Sequence, residues 1–122
     1  MVTIVTDVQV REGAEHQWDA VMRKRMAAAK GQPGWIGGQL LRSGEHANKR
    51  MIVGTWKSRG DWDKWHKNPL FADTRRQLDE LASGPEEHEW HEVVLDVRKG
   101  GTATRSAGSK TRGKRSSKKK AK

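Results

Sequence analysis

The chain has no cysteine and no tyrosine, one phenylalanine and three prolines among its 122 residues. Without cysteine there can be no disulfide, no thiolate nucleophile, no Cys-ligated zinc and no iron–sulfur cluster, so the fold must stand on packing. No run of apolar residues approaches the roughly 18 needed to span a membrane. The N-terminus enters an alternating pattern at once, without the basic and apolar regions of a signal peptide, and a cytoplasmic protein is expected. Acidic residues are missing from one end. From Arg98 to Lys122 there are 11 Lys or Arg and no Asp or Glu, leaving 14 basic against 15 acidic residues in 1–97. The net charge of +10 therefore belongs to an appended tail, and the body is nearly neutral. The aromatic area lies almost wholly in six tryptophans.

The length allows one compact domain. Residues 2–10 alternate, with Val2, Ile4, Thr6, Val8 and Val10 on one face and Thr3, Val5, Asp7 and Gln9 on the other, the period of a strand. After Arg11-Glu12-Gly13, apolar residues recur at helical spacing through Ala14, Trp18, Val21, Met22, Ala28 and Ala29, and this helix ends near Gly31. Gln32-Pro33-Gly34 cannot continue it. Trp35–Leu41 and Met51–Trp56, joined by the turn-like Gly44–Asn48, predict a hairpin. Ser58 can cap a helix carrying Trp62, Trp65 and His66, and Asn68-Pro69 restarts a second run through Leu70, Phe71, Leu78 and Leu81 before Gly84-Pro85. A fourth strand is predicted over Trp90–Val97. The order β-α-β-β-α-β predicts an α+β, ferredoxin-like domain over 1–97, with both helical layers on one sheet face. Apolar residues also lie on the other face, and a second copy pressed sheet to sheet is the simplest cover, which predicts a homodimer.

Pro33-Gly34-Trp35-Ile36-Gly37-Gly38-Gln39-Leu40-Leu41-Arg42, Trp56-Lys57-Ser58 and Trp65-His66-Lys67-Asn68-Pro69-Leu70-Phe71 follow one another in an order and spacing that resembles the antibiotic-biosynthesis monooxygenase (ABM) family. The resemblance covers about residues 1–97. It implies a dimeric α+β barrel with a pocket in each subunit between sheet and helices. Some members of that family oxygenate aromatic polyketide intermediates with O₂ and neither metal nor flavin, some degrade heme and some act on quinols, so the fold does not choose the substrate.

The resemblance places Trp65 at a pocket tryptophan and makes Trp62, Phe71 and Thr74 candidate substrate contacts. Trp62 and His66 lie four apart and share a helix face, so an imidazole sits beside an indole wall suited to a flat aromatic, and that imidazole could take a phenolic proton near neutral pH. Alternatively Trp62 is core and His66 a solvated helix residue. The heme-degrading pattern has an asparagine on the first strand and a histidine on the second helical run. Here these positions read as Asp7 and as Thr74, eighteen residues after Trp56, leaving iron no evident axial ligand. The polyketide-oxidising pattern includes a tyrosine, which this chain lacks. A buried Asp7 would have a raised pKa and serve as a base beside His66, or it simply hydrogen-bonds a neighbouring strand. The expected chemistry uses O₂ as co-substrate and no cofactor, heme included.

His88 and His91 are three apart on a predicted strand, not four apart on a helix as in a zinc HExxH motif, so they face opposite ways and predict no metal site. Gly37-Gly38 and Gly100-Gly101 lack the spacing of a nucleotide cradle. Arg42, Arg75 and Arg76 meet an anionic substrate or are surface charges. The tail, 98–122, holds no apolar residue larger than alanine and is expected to be disordered. Its Lys114, Arg115, Lys118, Lys119 and Lys120 would contact nucleic acid through phosphates alone, without sequence preference. Nothing in it anchors to a membrane. Three functions follow: a cofactor-independent monooxygenase on a small electron-rich aromatic or quinol, a non-catalytic binding module tethered to nucleic acid by the tail, and a heme-handling protein.

Overall fold

A computed structural model describes residues 1–100. The tail residues Lys114, Arg115, Lys118, Lys119 and Lys120, with the disorder and nucleic-acid contact expected of them, lie outside the described residues. The elements are β1 (Val2–Gln9), α1 (Glu15–Lys30), β2 (Trp35–Arg42), β3 (Lys49–Trp56), α2 (Arg59–His66), α3 (Pro69–Leu81) and β4 (Glu87–Glu92). The four strands form one antiparallel sheet in the order β2-β3-β1-β4. This is the expected ferredoxin-like α+β fold.

Local chemistry sets the helix starts. Ser58 Oγ accepts from the Asp61 N–H at 3.2 Å and donates to Asp61 Oδ2 at 2.9 Å, so the cap and the first-turn acid satisfy each other. Asn68 Oδ1 accepts from the Leu70 N–H at 2.8 Å, with Pro69 at the first helical position, where its missing N–H costs nothing. Gly34 holds φ +88, and a Cβ there would run into the Asp61 side chain. Only glycine lets the start of β2 lie against the start of α2, where the Lys57 N–H donates to the Gly34 carbonyl at 2.7 Å.

The sheet face toward the helices carries two packed groups. Val8 and Val10 meet Ala14, Trp18 and Met22 of α1 and Leu78 of α3 at one end. Ile4, Ala29, Trp56, Trp65 and Phe71 meet at the other. Burying each of these larger side chains contributes about 1.5–3 kcal/mol.

The fourth strand departs from its expected span. It starts three residues earlier, at Glu87, and stops at Glu92 rather than reaching Val97. The cause is its partner: Asp7 pairs with Glu87 and Val2 with Glu92, after which β1 has no residues left to pair. Past a last bond from the Val93 N–H to the Met1 carbonyl, Val94, Leu95 and Val97 are 87%, 61% and 68% exposed.

One buried charge needs a partner. Arg50, on the helix-facing side of β3, is 5% exposed and reaches both carboxylate oxygens of Asp19 on α1, at 2.8 and 3.0 Å, and the Ala47 carbonyl at 2.7 Å. The guanidinium's hydrogen bonds hold the Asp19 carboxyl below its usual pKa. Removing the acid strands a buried cation, whereas removing the cation does not strand a buried anion, since Asp19 is the more exposed partner. Asp19→Ala is therefore expected to cost about 2–3 kcal/mol in urea unfolding, more than Arg50→Met; equal costs would show that loss of Asp19 does not strand the cation.

Candidate functional site

A cleft opens between the helix-facing side of the sheet and the inner faces of the helices, with about 600 Å³ of empty space counting the solvent at its mouth. Its walls are largely aromatic. Trp56 from β3 stacks on Trp65 from α2 at 6.5 Å, and Trp35 from β2 meets Trp56 edge-on at 5.4 Å. Trp62 crosses Trp90 of β4 edge-on at 4.7 Å, and Phe71 stands against Trp65 at 5.7 Å. Gly38 makes room for Trp35, whose ring would strike a Cβ at that position. Trp35 is thus a wall of the cleft.

Trp62, Trp65, His66 and Phe71 are brought together in this cleft. The His66 ring lies on Trp62 at 3.5 Å and against Phe71 at 4.1 Å. His66 Nδ1 is 2.9 Å from the Trp62 carbonyl, which can only accept, so Nδ1 carries the proton and Nε2 the lone pair. Nε2 has no hydrogen-bond partner among the described residues. Burial pushes the imidazole down to about 4, helped by the nearby charges of Arg25, His88 and Arg75. His66 is neutral at neutral pH and presents an acceptor.

Asp7 and Thr74 are not in the cleft. Asp7 is exposed on the opposite face of β1, because the strand that turns Ile4 and Thr6 toward the helices turns its odd-numbered residues away. The expectation of a buried, basic Asp7 is corrected accordingly, and the strand-one residue that reaches the site is Thr6. Thr74 is 2% exposed and sits behind the cleft wall, where its hydroxyl donates to the Phe71 carbonyl at 3.0 Å and accepts from Arg25 Nε at 2.8 Å. It holds Arg25 rather than a ligand.

Arg25, Thr6 and His88 line the cleft, although the sequence offered none of them as a substrate or catalytic contact and raised His88 only as a metal ligand. Arg25 continues the buried stripe of Trp18, Met22 and Ala29 at spacings of three and four, so a cation on an apolar face was the available signal. Its guanidinium lies over Phe71, 3.9 Å from the ring centroid. Burial pushes it down to about 10, still fully charged at neutral pH. His88 Nδ1 is 3.0 Å from Thr6 Oγ1, and its Nε2 lies 3.6 Å from Glu86 Oε1 at the rim. His91 points away from the cleft, 3.1 Å from Glu89. The two β4 histidines thus take opposite faces, as their spacing required.

Residues 1–77 match the family model described as antibiotic biosynthesis monooxygenase. Over 99 residues the chain is 30% identical to a protein of Mycobacterium tuberculosis named heme oxygenase (mycobilin-producing), spanning 80% of this chain and 91% of that one. Among solved structures, a putative antibiotic biosynthesis monooxygenase from Nitrosomonas europaea superposes with a TM-score of 0.72 at 12% identity, covering 74% of this chain and 86% of that one. SnoaB, a cofactor-independent oxygenase from Streptomyces nogalater, superposes with a TM-score of 0.70 at 24% identity, covering 75% and 91%. At those identities the two structures speak for the fold.

The depressed His66 makes stability depend on pH. Between pH 6.5 and about 4 the unfolded chain binds a proton at this imidazole that the folded chain does not, so stability falls as the pH drops through that window and levels off below it. Allowing for solvent on the open side of the cleft, the loss should be about 1–2 kcal/mol. Thermal unfolding of wild type and His66→Gln across pH 7 to 4 checks this; parallel pH curves for the two proteins would remove His66 as the cause.

Proposed function

Because the chain belongs to the antibiotic biosynthesis monooxygenase family, we propose that it is a cofactor-independent monooxygenase acting on a small, flat, electron-rich aromatic such as an anthrone or quinol. The observation that carries this reading is the aromatic cleft itself, whose lining combines Trp35, Trp56, Trp62, Trp65 and Phe71 with a neutral imidazole whose Nε2 has no hydrogen-bond partner among the described residues. Indole faces bind flat arenes over a broad area. His66 accepts the hydrogen bond of the substrate's acidic hydroxyl or C–H and orients it. Transfer of that proton to His66 Nε2 leaves an anthrone-type carbanion, which passes one electron to O₂; the radical pair joins through a C–O bond as a peroxide anion that takes the proton back, and loss of water leaves a carbonyl, so one oxygen atom enters the product and the other leaves as water. No step needs an external reductant.

A second reading is favoured by one observation, the 30% identity to a protein named a heme oxygenase. Heme would then be the substrate, filling the same aromatic slot. Thr74 offers no imidazole and its hydroxyl is already engaged, so iron would have to take His66 or His88. O₂ consumption with a panel of anthrones and naphthohydroquinones separates the two. On the first reading wild type exceeds the uncatalysed rate, Trp65→Ala loses at least tenfold of it, and Asp7→Ala on the outer face keeps it. On the second the panel is inert, and hemin titration gives a Soret shift that His66→Ala or His88→Ala abolishes.

We also propose that the chain works as a homodimer joined through the outer sheet face, where Val5, Met51, Val53 and Leu41 form an apolar surface between polar neighbours. This is the same sheet-to-sheet cover that the alternating strands suggest. Sedimentation at micromolar concentration is expected to give a dimer that Val5→Lys dissociates, and a monomeric wild type would refute the proposal.

A further inference from the structure

Deprotonation is the difficult step of the proposed chemistry, and His66 is poorly matched to it. A phenol of ordinary acidity titrates near 10, so an imidazole at about 4 faces proton transfer unfavourable by about a millionfold. Some other group must stabilise the anion. The outer-face Asp7 cannot reach the cleft, and the rim carboxylate of Glu86 carries the wrong charge.

Arg25 is placed to do so. It lies on the buried stripe of α1, yet no carboxylate comes within ion-pair distance among the described residues, and Glu86 and Asp79 act on it only through space. Its Nε is spent on Thr74 at 2.8 Å, its Nη2 makes one long contact, 3.5 Å, to the Phe71 carbonyl, and its Nη1 has no hydrogen-bond partner among the described residues. The Thr74 hydroxyl and the Phe71 ring fix the guanidinium plane, and His66 lies against the same ring. A half-buried cation with an unspent N–H in an aromatic cleft is a site for an anionic oxygen, strengthened by the low local dielectric.

We propose that Arg25 is the anion-binding residue of the cleft and restricts its ligands to arenes bearing an acidic hydroxyl, bound as the phenolate or enolate. His66 Nε2 then serves as hydrogen-bond acceptor for a second hydroxyl or for the proton in transit, and Thr74 is a positioning residue for Arg25. The proposal rests on the oxygenase reading for its catalytic meaning, but the ligand preference is independent of turnover.

The test is therefore made without O₂. An opposite charge a few ångström away lowers an acid's pKa by about one to three. On wild-type protein, 4-nitrophenol, read by its visible absorbance across pH, should titrate at least one pH unit lower than in buffer, a tenfold or greater preference for the phenolate. Arg25→Met should abolish that preference, and Arg25→Lys, which keeps the charge but not the fixed plane, should retain part of it. Thr74→Val should weaken the preference while leaving affinity for neutral 4-nitroanisole unchanged, which a merely structural role would not do. Unaltered far-UV circular dichroism and 4-nitroanisole affinity certify each variant. An unshifted titration on wild type, undetectable 4-nitrophenol binding, or a preference that survives in Arg25→Met would each overturn the proposal. A shifted titration without O₂ uptake would leave Arg25 as anion site and count against the oxygenase reading alone.

Discussion

The pairing of β1 with β3 on one side and β4 on the other decides which residues of three strands reach the helices. Because side chains alternate along a strand, this register puts Ile4 and Thr6 of β1, Gly54 and Trp56 of β3, and His88 and Trp90 of β4 on one surface. A slip of one residue in β1 would replace Thr6 by Asp7 in the cleft and turn Ile4 and Val8 out of the core. The apolar cost of that exchange holds the register, and the site inherits it.

The helices finish what the strands begin. Ser58 and Asn68 cap two short helices on either side of Lys67, and the break between them turns Trp65 and His66 at the end of α2 back toward Phe71 near the start of α3. From the other side α1 delivers Arg25. The result combines an apolar aromatic enclosure, a neutral acceptor and a held cation within one small space. Burial explains both unusual titrating groups: the medium that keeps His66 uncharged leaves Arg25 charged, because a guanidinium starts so much higher that even a large depression leaves it protonated at neutral pH.

The two families of substrate suggested by the relatives make different demands on this arrangement. A flat phenol or anthrone needs aromatic walls and stabilisation of one negative oxygen. Heme needs an iron ligand, and the residue at the second-helix position, Thr74, has its hydroxyl committed to Arg25 and Phe71. The threonine that the resemblance puts at the histidine position of the heme-degrading pattern anchors a guanidinium instead. That exchange is a chemical reason for preferring the oxygenase reading while the named heme oxygenase relative keeps heme in view as a substrate.

Read alone, the sequence determined the order of elements, both short-helix caps, the break at Asn68-Pro69 and the cluster Trp62, Trp65, His66 and Phe71. The elements, caps and break depend on interactions within a few residues or on periodicities that one element displays by itself, and so does the pairing of Trp62 with His66; Trp65 and Phe71 joined the cluster through the family resemblance. Only the tertiary structure decided the end of β4, since a strand stops where its partner does, and β1 begins at Val2. It also decided between Asp7 and Thr6, although the alternation had placed them on opposite faces, because which face meets the helices is a property of packing. Arg25 stood in plain view as a charge on an apolar stripe, but its meaning depended on Thr74 and Phe71, forty-six to forty-nine residues away. Periodicity can mark such a residue as out of place; only the contacts made across the fold show what holds it there and which of its hydrogen bonds are left to give.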